Sequence, residues 1–168
     1  MVDAILWVLA YGHVLSAIAW LGSGILTGFV VGPNLRKMAP AAALEFNAKI
    51  IPKIVRFIQM AAVSTLLFGL LLLYYSFHGD LSFLMDSTQG YILSAGILVA
   101  LLTAILAFSF ILPSFNKVSA FAKGAIEAGQ PPPPEIMKYA KRARLSSMTG
   151  VFLLLIVLAM MVASGFLY

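Results

Sequence analysis

The chain has 168 residues, 62% of them hydrophobic and 10% charged, with a formal net charge of +5 at pH 7. Soluble domains carry about 25% charged residues, so this composition and a mean hydropathy of +1.02 point to a multi-pass membrane protein and away from an ordinary soluble enzyme. There is no cysteine, which removes disulfides, zinc–thiolate sites, iron–sulfur clusters and thiol redox chemistry within the chain.

Four apolar segments follow in order, at about 4–31, 57–77, 90–112 and 147–167. Each meets the roughly 20 residues that a helix needs to cross a bilayer, and none has Asp, Glu, Lys or Arg in its interior. Met1-Val2-Asp3 lacks a basic leader and the first apolar run is long, so a retained helix is expected rather than a cleaved signal peptide. That run carries Gly12, Ser16, Trp20, Gly24, Gly28 and Gly32 at four-residue intervals, a stripe that lets another helix approach closely.

In the first connection, Pro40 is placed to start a helix. The stretch 41–53 reads as helical and runs into the second span, with Pro52 as a kink. The second span ends in Tyr74-Tyr75-Ser76-Phe77-His78-Gly79-Asp80, an aromatic belt followed by a turn. Beyond Pro113, residues Phe115, Val118, Phe121, Ala122, Ala125 and Ile126 recur at helical spacing, which extends the third helix past its apolar part. Gly129 is placed to end it. Pro131 to Pro134 form a stiff connector, and Glu135 opens the fourth helix with an acidic first turn. No internal repeat stands out. The outer connections are short, so the expected fold is all-α: a membrane-embedded up-down-up-down four-helix bundle, one domain over 1–168, with cytoplasmic helical extensions.

All eleven Lys and Arg residues fall in the first and third connections and their flanks. The positive-inside rule then places both termini and the 78–89 loop outside the cell membrane. The net positive charge is thus accounted for by topology, without a nucleic-acid partner.

His13 and His78 are the two histidines. An ionisable side chain inside an apolar helix is a functional candidate by default. On the first helix, 23 positions separate His13 from Arg36; on the second, 22 separate Arg56 from His78. This count predicts two imidazoles at matching depth, able to ligate a b-type haem or a metal across the bundle. Ala17, Trp20 and Gly24 share the His13 face, so Trp20 is expected beside a flat cofactor. Met160 and Met161 offer an alternative haem ligand. His13, His78, Met85 and an aspartate, Asp80 or Asp86, make a possible copper donor set.

The run Leu6-Trp7-Val8-Leu9-Ala10-Tyr11-Gly12-His13-Val14-Leu15, followed by Trp20, Gly22, Gly24 and the basic Arg36, resembles the first helix of CopD-like membrane proteins and of HemJ-type protoporphyrinogen oxidases. Pro52 and Arg56 before a long apolar run, and Arg142 or Arg144 before the fourth span, echo it weakly. The HemJ resemblance implies haem b on His13; the CopD resemblance implies copper handling. The chain lacks the lysine that HemJ-type proteins carry early in the third span, and it lacks the further histidines and methionine clusters of a committed copper importer. The leading expectation is a haem b protein moving electrons between a membrane quinone and an outer-face acceptor. The alternatives are a copper-binding or copper-transport protein and a cofactor-free accessory subunit of a membrane complex. A symmetric homodimer sharing one site between two copies of His13 is also open.

Overall fold

The computed structural model describes residues 4–166 and is helical almost throughout. Met1-Val2-Asp3, on which the retained-helix expectation turns, and Leu167 at the end of the fourth apolar segment lie outside the described residues. The helices are α1 (Ala4–Leu35), α2 (Pro40–Lys49), α3 (Ile51–Ser76), α4 (Phe83–Asp86), α5 (Thr88–Ala128) and α6 (Glu135–Phe166). Four of them, α1, α3, α5 and α6, are long and apolar enough to cross a membrane. Their outer faces expose Ile18, Leu67, Leu98, Ile105 and Phe152, each at half or more of its surface, an exterior suited to lipid.

Proline and glycine set the boundaries. Pro40 opens α2, whose last turn meets α3 at Ile50, and Pro52 lies in the first turn of α3. The expected kink is therefore a break between two helices, because a proline without N–H is tolerated at a helix start. Gly129 is left-handed, with φ of 61°. Its N–H donates to the Ile126 carbonyl, and the Gln130 N–H donates to the Ala125 carbonyl, which closes α5 and frees the chain into Pro131–Pro134.

Two wide turns interrupt the long helices, and composition does not foretell them. Leu26–Val31 in α1 and Ala107–Ile111 in α5 are π-helical. The Gly32 N–H bonds the Thr27 carbonyl and the Leu112 N–H bonds the Ala107 carbonyl, each five residues back. Pro33 and Pro113 follow directly. A proline ring inside a helix clashes with the carbonyl four residues earlier, and opening one turn relieves the clash.

The four long helices form two antiparallel hairpins, α1 with α3 and α5 with α6. They meet where Trp20 lies against Ala61, Ala62 and Ala104. Toward the basic end, Ile51, Val55 and Leu112 make a second core with Val31, Phe46 and Phe115, and α2 packs on the far part of α5. Toward the opposite end buried residues thin out on two of the helices: the last is Thr65 on α3, and Val151 among the described side chains of α6, while Leu9 on α1 and Gly90 and Gly96 on α5 are still buried.

The 78–89 connection is ordered by local bonds. The Ser82 N–H donates to the Asp80 carboxylate at 2.9 Å, which holds that carboxyl below the usual carboxylate range. Phe77 stacks on Phe83 with ring centroids 4.8 Å apart. The Ser87 hydroxyl caps α5 by accepting from the Gly90 N–H at 3.0 Å. A side chain on Gly90 would strike the Phe83 carbonyl, whereas one on Gly22 would meet nothing within 4 Å. Gly90→Ala is therefore expected to destabilise by about 2 kcal/mol, the scale of overpacking, read as a lowered thermal midpoint in detergent. Gly22→Ala should leave the midpoint equal or slightly raised, since alanine is the better helix former. Equal losses in both would contradict the packing described.

Candidate functional site around His13

His13 sits on α1 facing α3, half-buried. Its Nδ1 lies 2.9 Å from the Thr65 carbonyl oxygen. A carbonyl can only accept, so this bond assigns the proton to Nδ1 and leaves Nε2 of the neutral ring with its lone pair. The ring reaches that carbonyl because residue 69 is glycine: a Cβ there would stand 2.9 Å from His13 Cε1 and 3.0 Å from Nδ1. One residue away the relation reverses. A Cβ on Gly12 would stand 2.8 Å from Phe68 Cε1. Each helix thus presents a glycine to the other's ring, Gly12 to Phe68 and Gly69 to His13. Below the imidazole, the buried Ser16 hydroxyl donates to the Gly12 carbonyl at 2.7 Å and lies 3.1 Å from the His13 carbonyl, so it satisfies itself within α1. The Thr65 hydroxyl does likewise toward Ala61.

The other sequence candidates pack against different neighbours. His78 is exposed, in left-handed backbone with φ of 51°, beyond the end of α3. Gly69, which touches His13, lies seven residues before Ser76, the last residue of α3, so His78 is at least roughly 10 Å further along the axis at the helical rise. The matched depth fails for a physical reason. Gly12 opposite Phe68, Trp20 beside Ala61 and Val31 beside Ile51 hold one antiparallel register. That register sets Arg56 roughly ten residues, or about 15 Å of helical rise, deeper in the bundle than Arg36. The two arginines are unequal rulers.

Trp20 lies two turns from His13 and only 4% exposed, wedged among alanines. Its edge, with Gly24, Thr103, Ser147 and Gly150, lines a cavity of about 30 Å³, room for a water molecule or two and not for a porphyrin. Met160 and Met161 pack on Gly96 of α5, with the Met160 Cβ 3.2 Å and the Met161 Cε 3.5 Å from where its Cβ would be. Met85 is 73% exposed, and Asp80 is committed to Ser82. Among the described residues no three His, Asp or Glu side chains come together as a metal-binding group. Within the copper set, His13 is thus separated along the helices from His78.

The partners that matter to His13 are Thr65, Phe68 and Gly69. Their signal in the sequence is a threonine and a glycine four residues apart inside a run of Leu and Phe, small positions on one helical face.

No family model, no curated protein and no solved structure matches the chain.

If Gly69 is there to admit the imidazole, Gly69→Ala should cost about 2 kcal/mol in the wild-type background and much less in a His13→Ala background, where the ring is gone. A double-mutant cycle on thermal or denaturant unfolding in detergent measures the coupling. Strict additivity of the two losses would show that the ring does not occupy the space above Gly69.

Proposed function

We propose that the chain is a multi-pass protein of the cell membrane, basic end in the cytoplasm and both termini outside, that holds a haem b on His13. In this reading it passes electrons between a membrane quinone and an acceptor at the outer face. The observation that carries the reading is the Nδ1 bond to the Thr65 carbonyl. Metal-ligating histidines characteristically donate their other ring N–H to a carbonyl or carboxylate, which fixes the tautomer and aims the free nitrogen. Here the ring is further immobilised by Gly69 on one side of α3. An imidazole so held is prepared to ligate through Nε2.

The surroundings fit a large flat group in one respect and restrict it in another. The interior cavity beside Trp20 is too small, so the group belongs in the lightly packed half, where α3 beyond Thr65 buries no residue fully. Leu66, half-buried, and Leu70, exposed, keep that stretch of α3 apolar, and an apolar surrounding would raise the cost of a charged iron site. A haem held there would supply one-electron chemistry, and the chain would supply the His13 imidazole as its ligand. His78 is too far along α3 to complete the pair, and His13 of a second copy across a two-fold axis is a ligand of the right chemistry.

The reading is tested by reduced-minus-oxidised visible spectra of protein purified from a haem-sufficient host. The expected result is a Soret band with sharp α and β bands, abolished in His13→Ala and retained in His78→Ala. A purified protein that stays colourless when haem is supplied sinks the proposal and leaves a cofactor-free accessory role. Copper bound without a Soret band would turn the reading to metal handling. Loss of the spectrum in His78→Ala with His13→Ala unaffected would place the ligand at the wrong end of α3.

A further inference from the structure

Eleven cations and few acids crowd the basic end, and most of the acids are spoken for. Glu45 pairs with Lys49 and Glu127 with Lys123, each one helical turn apart. Glu135, in the first turn of α6, has no ion pair among the described residues. Where α5 and α6 run together, two cations are held by aromatic rings instead of by carboxylates. Lys117 Nζ donates to the Tyr139 hydroxyl at 3.1 Å and lies 4.5 Å from the centre of that ring. The Arg142 guanidinium sits 4.9 Å over the ring of Phe110. Phe121 supports Tyr139 from α5, with ring centroids 5.8 Å apart. Lys117, Arg142 and Lys138 are all exposed, and Lys138 and Arg142 are both close enough to act electrostatically on the Tyr139 hydroxyl.

Such a cluster is unusual in what it leaves open. Lys117 reaches the Tyr139 phenol from α5, Lys138 and Arg142 flank that residue on α6, and no carboxylate forms an ion pair with any of the three among the described residues. Mutual repulsion would scatter flexible lysines and arginines, but cation–π contacts hold two of them in place. The contact with Phe110 tethers Arg142 without using its N–H donors, so the guanidinium keeps its fork of donors for an oxyanion. The Tyr139 hydroxyl accepts from Lys117 and retains its own proton to donate. Below the cluster the surface turns apolar at once, with Phe108, Phe110 and Leu145 exposed. A ligand that satisfies both halves carries a phosphate group above two hydrocarbon chains.

We infer that Lys117, Tyr139 and Arg142, with Lys138 at the rim, form a phosphate-binding site between α5 and α6 whose ligand is the headgroup of an anionic phospholipid. Basic pockets between membrane helices at this level recognise such lipids. The inference rests on the membrane reading above and is independent of haem.

The test uses the full chain in phosphatidylcholine nanodiscs with and without phosphatidylglycerol, followed by release into detergent and native mass spectrometry of retained lipid. Failure to incorporate into phosphatidylcholine discs would count against the membrane reading itself. Incorporation without preferential retention of phosphatidylglycerol would overturn the lipid site alone. The expected result is retention of phosphatidylglycerol over phosphatidylcholine by about tenfold, falling toward parity in Lys117→Gln/Arg142→Gln. Lys49→Gln and Lys123→Gln, which remove paired cations elsewhere on the same end, should retain the wild-type preference. Tyr139→Phe keeps the ring under Lys117 and removes only the hydroxyl, so an intermediate loss is expected even if the double variant folds poorly. Inorganic phosphate distinguishes the source. Lipid retention that persists in millimolar phosphate supports a headgroup anchored by its chains. Binding of phosphate alone, with no lipid preference, would overturn the lipid in favour of a soluble phosphate ligand. A preference unchanged in every variant would show that the residues named do not form the site.

Discussion

The exchange of glycine for ring between α1 and α3 is the constraint from which the rest of the candidate site follows. Gly12 admits Phe68 and Gly69 admits His13, so the two helices interlock at one height and in one register. Lipid offers no hydrophobic drive for helix association; close packing and interhelical hydrogen bonds must supply it. Here both come from one patch of five residues, Gly12, His13, Thr65, Phe68 and Gly69. The same approach brings Nδ1 of the imidazole to a backbone carbonyl. Position, tautomer and rotation of the one imidazole carried by the four long apolar helices, among the described residues, are thereby set by features that carry no charge.

Away from that patch the two halves of the bundle differ. At the basic end the hairpins are knitted by Trp20, by the cores around Ile51 and Leu112, and by the docking of α2 on α5. Toward the histidine end, fully buried side chains become sparse on α3 and α6. Regions with few buried contacts open at lower free energy than the core. The imidazole therefore stands where α1 and α3 interlock, at the edge of the half in which α3 and α6 bury few residues.

Much of the fold was legible because it follows from local rules. Apolar length marked the four long helices, and Pro40, Gly129 and Glu135 marked boundaries that the structure also has. The interruptions at Leu26–Val31 and Ala107–Ile111 are not legible from Pro33 and Pro113, since a proline in a continuing helix can be met by a kink, a break or a widened turn. The site was legible in one member. His13 stood out as an ionisable side chain in an apolar helix, but its partners Thr65, Phe68 and Gly69 are ordinary residues of a membrane span, and only the rotation of α3 singles them out. The pairing with His78 rested on equating the heights of Arg36 and Arg56. That equation ignored α2 and the first turns of α3, which carry Arg56 into the bundle before it reaches the surface.

The four-residue spacing of Gly12, Ser16, Trp20, Gly24 and Gly28 on α1 has a geometric result. In an α-helix each step of four residues advances about 40° beyond a full turn, so Gly12, Ser16, Trp20, Gly24 and Gly28 trace a slow spiral rather than a straight line. Its path is visible in the neighbours it meets: Phe68 of α3 at Gly12, the alanines of α3 and α5 at Trp20, Val151 of α6 at Gly24 and Ser147 of α6 at Gly28. The more slowly wound turn at Leu26–Val31 then slows the rotation of the spiral along α1. A single helix thereby winds from its hairpin partner to the opposite hairpin, and the first span serves as the thread that stitches the two pairs together.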